Sequence, residues 1–249
     1  MSRWWEGPLG SFDLETTGKD TRVDRTVQYC TALTMPGCVP QVMSGYVDPG
    51  MPIHPDATGI HGITDEFAQR YGAPPRLAVE VCVSELANLV KAKIPITGHN
   101  LAYDFALLHW ECVRLGLPTL LERTGGLIMP VVDLYVLDKY VDPWRPGKGG
   151  RKLGAVIEVY GVRMEGKAHD AIADCLAATE CIRVIGGRYR EIGNMGPMQL
   201  HVCQVEWRAE QCAGLQDYFR RKRKDPPPDP NAYVDPCWPI CLDPNHPTT

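Results

Sequence analysis

Asp13 and Glu15 stand one residue apart in Phe12-Asp13-Leu14-Glu15-Thr16-Thr17-Gly18, and no earlier pair in this chain combines types and spacing that can do chemistry. On an extended strand alternate side chains share a face, so the two carboxylates project together, about 7 Å apart along the backbone, while Phe12 and Leu14 project the other way. Two later segments bring more acids into apolar surroundings: His99-Asn100-Leu101-Ala102-Tyr103-Asp104-Phe105 and His169-Asp170-Ala171-Ile172-Ala173-Asp174. A helix beginning after Asn100 aligns Asp104 with Leu101, Leu107 and Leu108 at spacings of three and four. In the same way Asp174 aligns with Ala177, Ala178 and Cys181. Each acid then lies on a face that should be buried. A lone carboxylate there is neutralised by a raised pKa or costs free energy, whereas divalent cations satisfy a group of carboxylates at once. Four such acids and a histidine suit metal-dependent cleavage of a phosphodiester.

The elements that must carry these residues follow from the apolar periodicity. Strands are predicted near 9–15, 26–34 and 40–48, with β-branched residues through Thr26-Val27-Gln28-Tyr29-Cys30-Thr31 and turn chemistry at Pro36-Gly37 and Asp48-Pro49-Gly50. These read as three antiparallel strands. Val81, Leu86, Leu89 and Val90 predict a helix over 75–93, and a short strand over 94–97 then leads into the Asp104 helix. A strand over 127–134 precedes a short helix. A loop over 145–152, rich in Gly, Lys and Arg, is followed by an apolar helix over 153–160 and a last helix over about 170–185, with Asp170 as its N-cap. Strands first and helices laid over them make an α/β domain. Beyond Gly186-Gly187, one helix is predicted over 197–224, carrying Leu200, Cys203, Trp207, Leu215 and Phe219 and ending in Arg220-Arg221-Lys222-Arg223-Lys224. Asp225-Pro226-Pro227-Pro228 must stop it. The expected division is a catalytic domain over 1–188 and a C-terminal helix with a proline-rich tail over 189–249. Leu215 and Phe219 are expected to pack on the domain. The basic run either touches a phosphate backbone or complements the helix dipole in solvent. Cys237, Cys241 and His246, with His201 and Cys203, are only loosely spaced like zinc ligands, and no Cys-x-x-Cys occurs, so zinc is disfavoured.

Asp-x-Glu-Thr-Thr-Gly, His-Asn-x-x-x-Asp-Phe and His-x-Ala-x-x-Asp, in this order, resemble the three motifs of the DEDDh 3′-5′ exonucleases, a group that includes the epsilon proofreading subunit of bacterial replicative DNA polymerase. Ile60-His61-Gly62-Ile63 matches a further segment that many members carry. The resemblance covers roughly residues 1–188. It implies a ribonuclease H-like mixed sheet flanked by helices, with the C-terminal helical extension outside that fold. It also implies two divalent ions, Mg²⁺ or Mn²⁺: one held mainly by Asp13, Glu15 and Asp174, the other by Asp13 and the scissile phosphate, with Asp104 acting through water. His169 is then the general base, in the histidine variant of the family. The backbone of Leu14 and Thr16 and the hydroxyls of Thr16 and Thr17 are candidates for holding the terminal 3′-OH, with Gly18 permitting a close turn. His61 and Phe67 are candidates for framing the terminal base, and His99 with Asn100 for orienting Asp104 or bordering the site. For these four, substrate contact and a purely structural place stay equally open. Lys148, Arg151 and Lys152 either follow the incoming strand or form a solvated loop.

The expected activity is release of nucleoside monophosphates from single-stranded or frayed DNA 3′ ends, in proofreading or repair, with a DNA polymerase as a candidate partner. Trp4-x-x-Gly7-Pro8-Leu9 and Leu200-His201 ahead of a Trp-bearing helix resemble, more loosely, the stand-alone exonucleases of actinobacteria and their phages. One alternative is an exoribonuclease or oligoribonuclease acting on short RNA, since discrimination of the 2′-OH depends on pocket shape rather than on the acids. Another is a non-catalytic, polymerase-associated nucleic-acid-binding module, against which all five catalytic positions carry the expected residue.

Composition sets the outer bounds. At 249 residues and 44% hydrophobic content the chain can bury a full core and is sized for one domain with an appendage. The start, Met1-Ser2-Arg3-Trp4-Trp5-Glu6-Gly7-Pro8, has no apolar signal region, and no stretch approaches the roughly 18 apolar residues of a membrane span. No membrane association is expected, and the expected compartment is the cytoplasm. Cys30, Cys82, Cys112, Cys175 and Cys181 fall inside predicted elements and read as reduced, buried thiols. A net charge of −4 excludes a globally basic surface, so affinity for nucleic acid must come from local cations and from metals. Oligomeric state leaves no mark in the sequence.

Overall fold

The computed structural model describes residues 3–145, 149–164, 166, 168–222 and 226–242. Strand β1 (Leu9–Thr16) is the middle of a five-stranded sheet ordered β3-β2-β1-β4-β5. β1 pairs antiparallel with β2 (Thr26–Thr34), and β2 pairs antiparallel with β3 (Gln41–Tyr46). On its other edge β1 runs parallel to β4 (Ile96–Gly98), which runs parallel to β5 (Val131–Asp133). The two parallel strands are short and wholly buried, as strands covered on both faces must be. β5 is shorter than the strand expected over 127–134. Asp133 already caps the next helix, its side chain accepting the N–H of Tyr135, and this ends the strand.

Alternation along β1 sends its side chains to two different layers. Phe12 and Leu14 face α3 (Pro75–Lys91) and α4 (Leu101–Leu115), where the rings of Phe12 and Phe105 lie 5.4 Å apart. Burying each of these side chains contributes roughly 1.5–3 kcal/mol. α8 (Ala171–Arg188) covers the other face, and its Ala173, Cys175, Ala177 and Ala178 let it lie close to the sheet. Thr179 Oγ1 is 2.7 Å from Thr97 Oγ1 on β4, and the Cys175 thiol donates to the Cys30 carbonyl on β2. A carboxylate on the α8 face of β1 is therefore held between a sheet and a helix.

Two short helices fill the stretch around Ile60 to Phe67 that periodicity alone did not resolve. α1 (Pro55–His61) opens on a proline and is capped by His54, and α2 (Asp65–Tyr71) is capped by Thr64. Gly62, at φ 79°, turns the chain between them. α5 (Leu120–Arg123), a Thr119 capping box, separates α4 from β5, and α6 (Leu134–Val141) and α7 (Leu153–Tyr160) follow β5. α9 (Arg190–Gly193) links α8 to α10 (Pro197–Asp217), which packs against β5 and α6.

Leu200 and Trp207 of α10 belong to the main core, and Trp207 stacks on Tyr140 at 3.7 Å. The tail folds back so that Trp238 is buried 5.0 Å from the His201 ring. The helix expected over 197–224 ends earlier, at Asp217, and passes into a π-helical turn over Tyr218–Lys222. Arg221 and Lys222 pair with Asp217 there, while Arg220 donates to the carbonyl of Ala232 in the returning tail. Arg223, Lys224 and His246 lie outside the described residues. All ten cysteines are free thiols, and no helix among the described residues is long and apolar enough to cross a membrane.

Candidate active site

Asp13 and Glu15 leave β1 on the α8 side, opposite Cys30 and Gln28 of β2. The pairing register slips between Glu15 and Thr16, which ends the regular ladder beside the acids. Asp104, in the first turn of α4, comes to the same strand from the far layer: its Oδ1 accepts the backbone N–H of Leu14 at 3.1 Å. Asp174 projects from the first turn of α8, whose N-cap Asp170 accepts the N–H groups of Ile172 and Ala173. His169 immediately precedes that cap at φ 61°, a left-handed conformation unusual for a residue with a Cβ. This turn leaves the imidazole largely exposed, with Nδ1 3.9 Å from Asp174 Oδ2. All five residues line one cavity of about 670 Å³.

The electrostatics of this cavity are those of unneutralised acids. Burial, then the charges of Asp104, Glu15 and Asp174, push the Asp13 carboxyl well above the usual carboxylate range. Glu15 is pushed up to about 8 by burial and by Asp174 and Asp170. Burial also raises Asp104 and Asp174, the latter partly countered by the nearby His169. Oδ1 of Asp174 is buried with no hydrogen-bond partner among the described residues. Glu15, His169 and Asp174 each offer a ligand atom, all within 4.8 Å of one another. Oxygen donors of this charge, crowded and unpaired, fit a hard divalent cation. No second group of this kind occurs among the described residues, the cysteines around His201 included.

The remaining sequence candidates separate into those at the cavity and those beside it. Leu14 and Thr16 line an adjoining cavity of about 520 Å³ together with Gly18 and His61. The Thr16 hydroxyl and the Tyr103 hydroxyl, 2.9 Å apart, both donate to the Gly18 carbonyl. A Cβ on Gly18 would stand 2.6 Å from the Asp24 carboxylate, so a larger residue would push that carboxylate off the Thr17 hydroxyl and the Asp20 N–H that it accepts. Thr17 does not line either cavity. Its buried hydroxyl donates to Asp24 and accepts from the N–H of Arg25. His61 is buried as a neutral ring: Nδ1 accepts from Ile63 N–H, so Nε2 carries the proton toward the Thr16 carbonyl 3.2 Å away, and burial lowers its pKa. Phe67 packs away from both cavities, its ring 4.8 Å from Tyr46 and from Tyr71. His99 borders the larger cavity, and its Nε2 is 2.9 Å from the Arg151 carbonyl. Asn100 takes the left-handed conformation at the start of α4 and lines the same cavity. The guanidinium of Arg151 is taken by Asp138 at 2.6 Å, Lys152 is exposed at the rim, and Lys148 lies outside the described residues.

Three residues that shape the site escaped the sequence patterns. Asp133 is buried and accepts the N–H groups of Asn100, Leu101 and Tyr135 as well as Trp238 Nε1, so one carboxylate ties α4, α6 and the tail together. Asp138, also buried, holds Arg145, Arg151 and the Tyr160 hydroxyl, which anchors the loop against which His99 rests. Arg208 of α10 lines the cavity of the acids. An acid inside a predicted strand or helix gives no sequence signal of its partners, and a cation on a distant helix gives less.

This sheet, with its acids gathered at β1, α4 and α8, defines a nuclease of the ribonuclease H-like fold. Residues 11–182 match the family described as exonuclease, the RNase_T family, and the chain belongs to it. Among solved structures it is similar to the zinc-bound complex of Escherichia coli exonuclease I with single-stranded DNA, at 20% identity and TM-score 0.65, covering 76% of this chain and 42% of that one. It is also similar to exonuclease I of Methylocaldum szegediense, at 22% identity and TM-score 0.59 over the same shares. Among curated proteins it is similar to the PolC-type DNA polymerase III of Streptococcus suis, 26% identical over 156 residues. That match covers 62% of this chain and 9% of the polymerase, so the chain spans about a tenth of such relatives.

Proposed function

We propose that this chain is a metal-dependent 3′-5′ exonuclease that releases nucleoside monophosphates from single-stranded or frayed DNA ends. The convergence of Asp13, Glu15, Asp104, Asp174 and His169 on one cavity, in a chain of the exonuclease family, carries this reading. Asp13, Glu15 and Asp174 would hold divalent cations, Mg²⁺ or Mn²⁺, which when bound neutralise charge on the phosphate and activate water. Asp104 supports them from the α4 side while keeping the Leu14 backbone in place. His169 takes the proton of the attacking water through Nε2, because Nδ1 is the nitrogen that faces Asp174. Leu14, Thr16 and His61 border the space for the terminal nucleotide, with His61 acting by fixing the Thr16 carbonyl.

DNA is preferred over RNA as the substrate because the similar proteins named above are a DNA polymerase and an exonuclease bound to single-stranded DNA. The same likeness supports work in proofreading or repair, beside a DNA polymerase, in the cytoplasm. Polarity is tested with a 5′-labelled dT oligomer carrying either a free 3′-OH or a 3′-phosphate. The free end should shorten one nucleotide at a time, and the blocked end should resist. Internal cuts, or mononucleotides released first from the 5′ end, would refute the assignment.

A further inference from the structure

Arg208 projects from α10 into the wall of the cavity that holds the acids. It is half-buried, and its guanidinium carbon lies 5.7 Å from the centre of the Tyr135 ring, which lines the same cavity. Nε of Arg208 is buried with no hydrogen-bond partner among the described residues, and the polar neighbour of the side chain is the Cys212 thiol rather than a carboxylate. Arg151 makes the contrast: it borders the same space, but its charge is met by Asp138 at 2.6 Å. A buried donor left unmet costs free energy, and an anion entering the cavity would complete it. Its planar fork suits a phosphate better than any other anion a nuclease cleft would receive. The chain as a whole is acidic, so attraction for a nucleic-acid strand has to be local.

We propose that Arg208 binds a phosphodiester of the substrate strand, which makes the C-terminal helix part of the substrate-binding cleft. Tyr135 and Leu215, on the same cavity, offer the apolar surface on which the neighbouring base rests. The inference builds on the nuclease reading above, and it adds a contact supplied from outside the segment that matches the family, which ends at residue 182.

The test uses the full chain with fluorescein-labelled single-stranded dT oligomers. Binding is measured by anisotropy in Ca²⁺ over a salt series, and hydrolysis in Mg²⁺ and Mn²⁺. Arg208→Gln keeps the stem and removes the charge, and Arg208→Lys restores it. The Gln variant should bind about tenfold more weakly, with the slope of log affinity against log salt smaller by about one. In hydrolysis its KM should rise by a similar factor with kcat little changed. The Lys variant restores the charge without the fork, so it should recover the salt slope and part of the binding loss. Wild-type affinity and slope in Arg208→Gln would overturn the proposal. So would equal weakening in both variants with a lowered melting temperature, since that points to packing rather than charge. If the Gln variant loses binding while the wild type hydrolyses nothing in either metal, the phosphate contact stands and the nuclease reading falls.

Discussion

The carboxylate of Asp104 accepts the backbone N–H of Leu14 at 3.1 Å, so the first turn of α4 is fastened to β1 at the residue between the two strand acids. One side chain therefore serves both the fold and the charge cluster, and the two roles separate by substitution. Asp104→Asn keeps an oxygen for Leu14 and should change stability by under about 1 kcal/mol, while hydrolysis falls about 10–100-fold. Asp104→Ala leaves a buried N–H unpaired and should cost a further 1–3 kcal/mol, roughly, in urea unfolding. Equal stability of the two variants would show that the hydrogen bond contributes nothing.

Oδ1 of Asp174 is buried without a partner among the described residues, and in the proposed function a divalent cation would complete it. The wild type should gain about 2.7 kcal/mol of stability at a metal concentration a hundred times Kd. Asp174→Asn should lose most of that gain together with hydrolysis, and its metal-free melting temperature should not fall, because repulsion among the remaining acids is relieved. An undiminished shift on adding Mn²⁺ to the variant would place the cation elsewhere.

Asp133 satisfies three backbone N–H groups and one indole N–H from three parts of the chain. Asp133→Ala should cost about 3 kcal/mol or more, since each buried donor left unpaired costs roughly 1–3 kcal/mol. Chemical denaturation decides this, and a loss under about 1 kcal/mol would mean that water replaces the carboxylate without penalty.

His201 provides a pH dependence away from the acids. Its Nδ1 accepts the N–H of Val131 at 3.2 Å, and burial pushes its pKa from 6.5 down to about 4. The folded pKa lies below the unfolded one, so unfolding takes up a proton in this window. The contribution of the neutral ring is complete above about pH 6.5 and is lost as pH falls toward 4. The raised acids Asp13 and Glu15 act in the opposite sense over the same range, so the His201 part, on the order of 3 kcal/mol lost between pH 7 and 4, is read as the difference in pH slope between the wild type and a His201 variant. His201→Gln should lose that part, and an unchanged slope would remove His201 as its source.

The central sheet and the long helices were legible because alternation in β1 and the spacing around Asp104 and Asp174 are local properties of the chain. The acids could be grouped for the same reason: each interrupts an otherwise apolar face. What sequence could not supply was pairing at a distance. Asp133 and Asp138 look like ordinary acids at element ends, and their partners come from four or five separate segments. Thr17 and Phe67 lie close in sequence to residues at the cavities, yet their side chains face Asp24 and the Tyr46–Tyr71 pair. The return of the tail, which buries Trp238 beside His201 and shapes the wall where Leu215 and Arg208 lie, carries no periodic signal at all.

The most direct measurement is digestion of matched 5′-labelled single-stranded DNA and RNA oligomers in Mg²⁺ and Mn²⁺, with His169→Ala beside the wild type. The account predicts a ladder shortening from the 3′ end of the DNA, slower on RNA, and nearly absent in the variant. Oligomers left intact in both metals, or an undiminished ladder from His169→Ala, would contradict it.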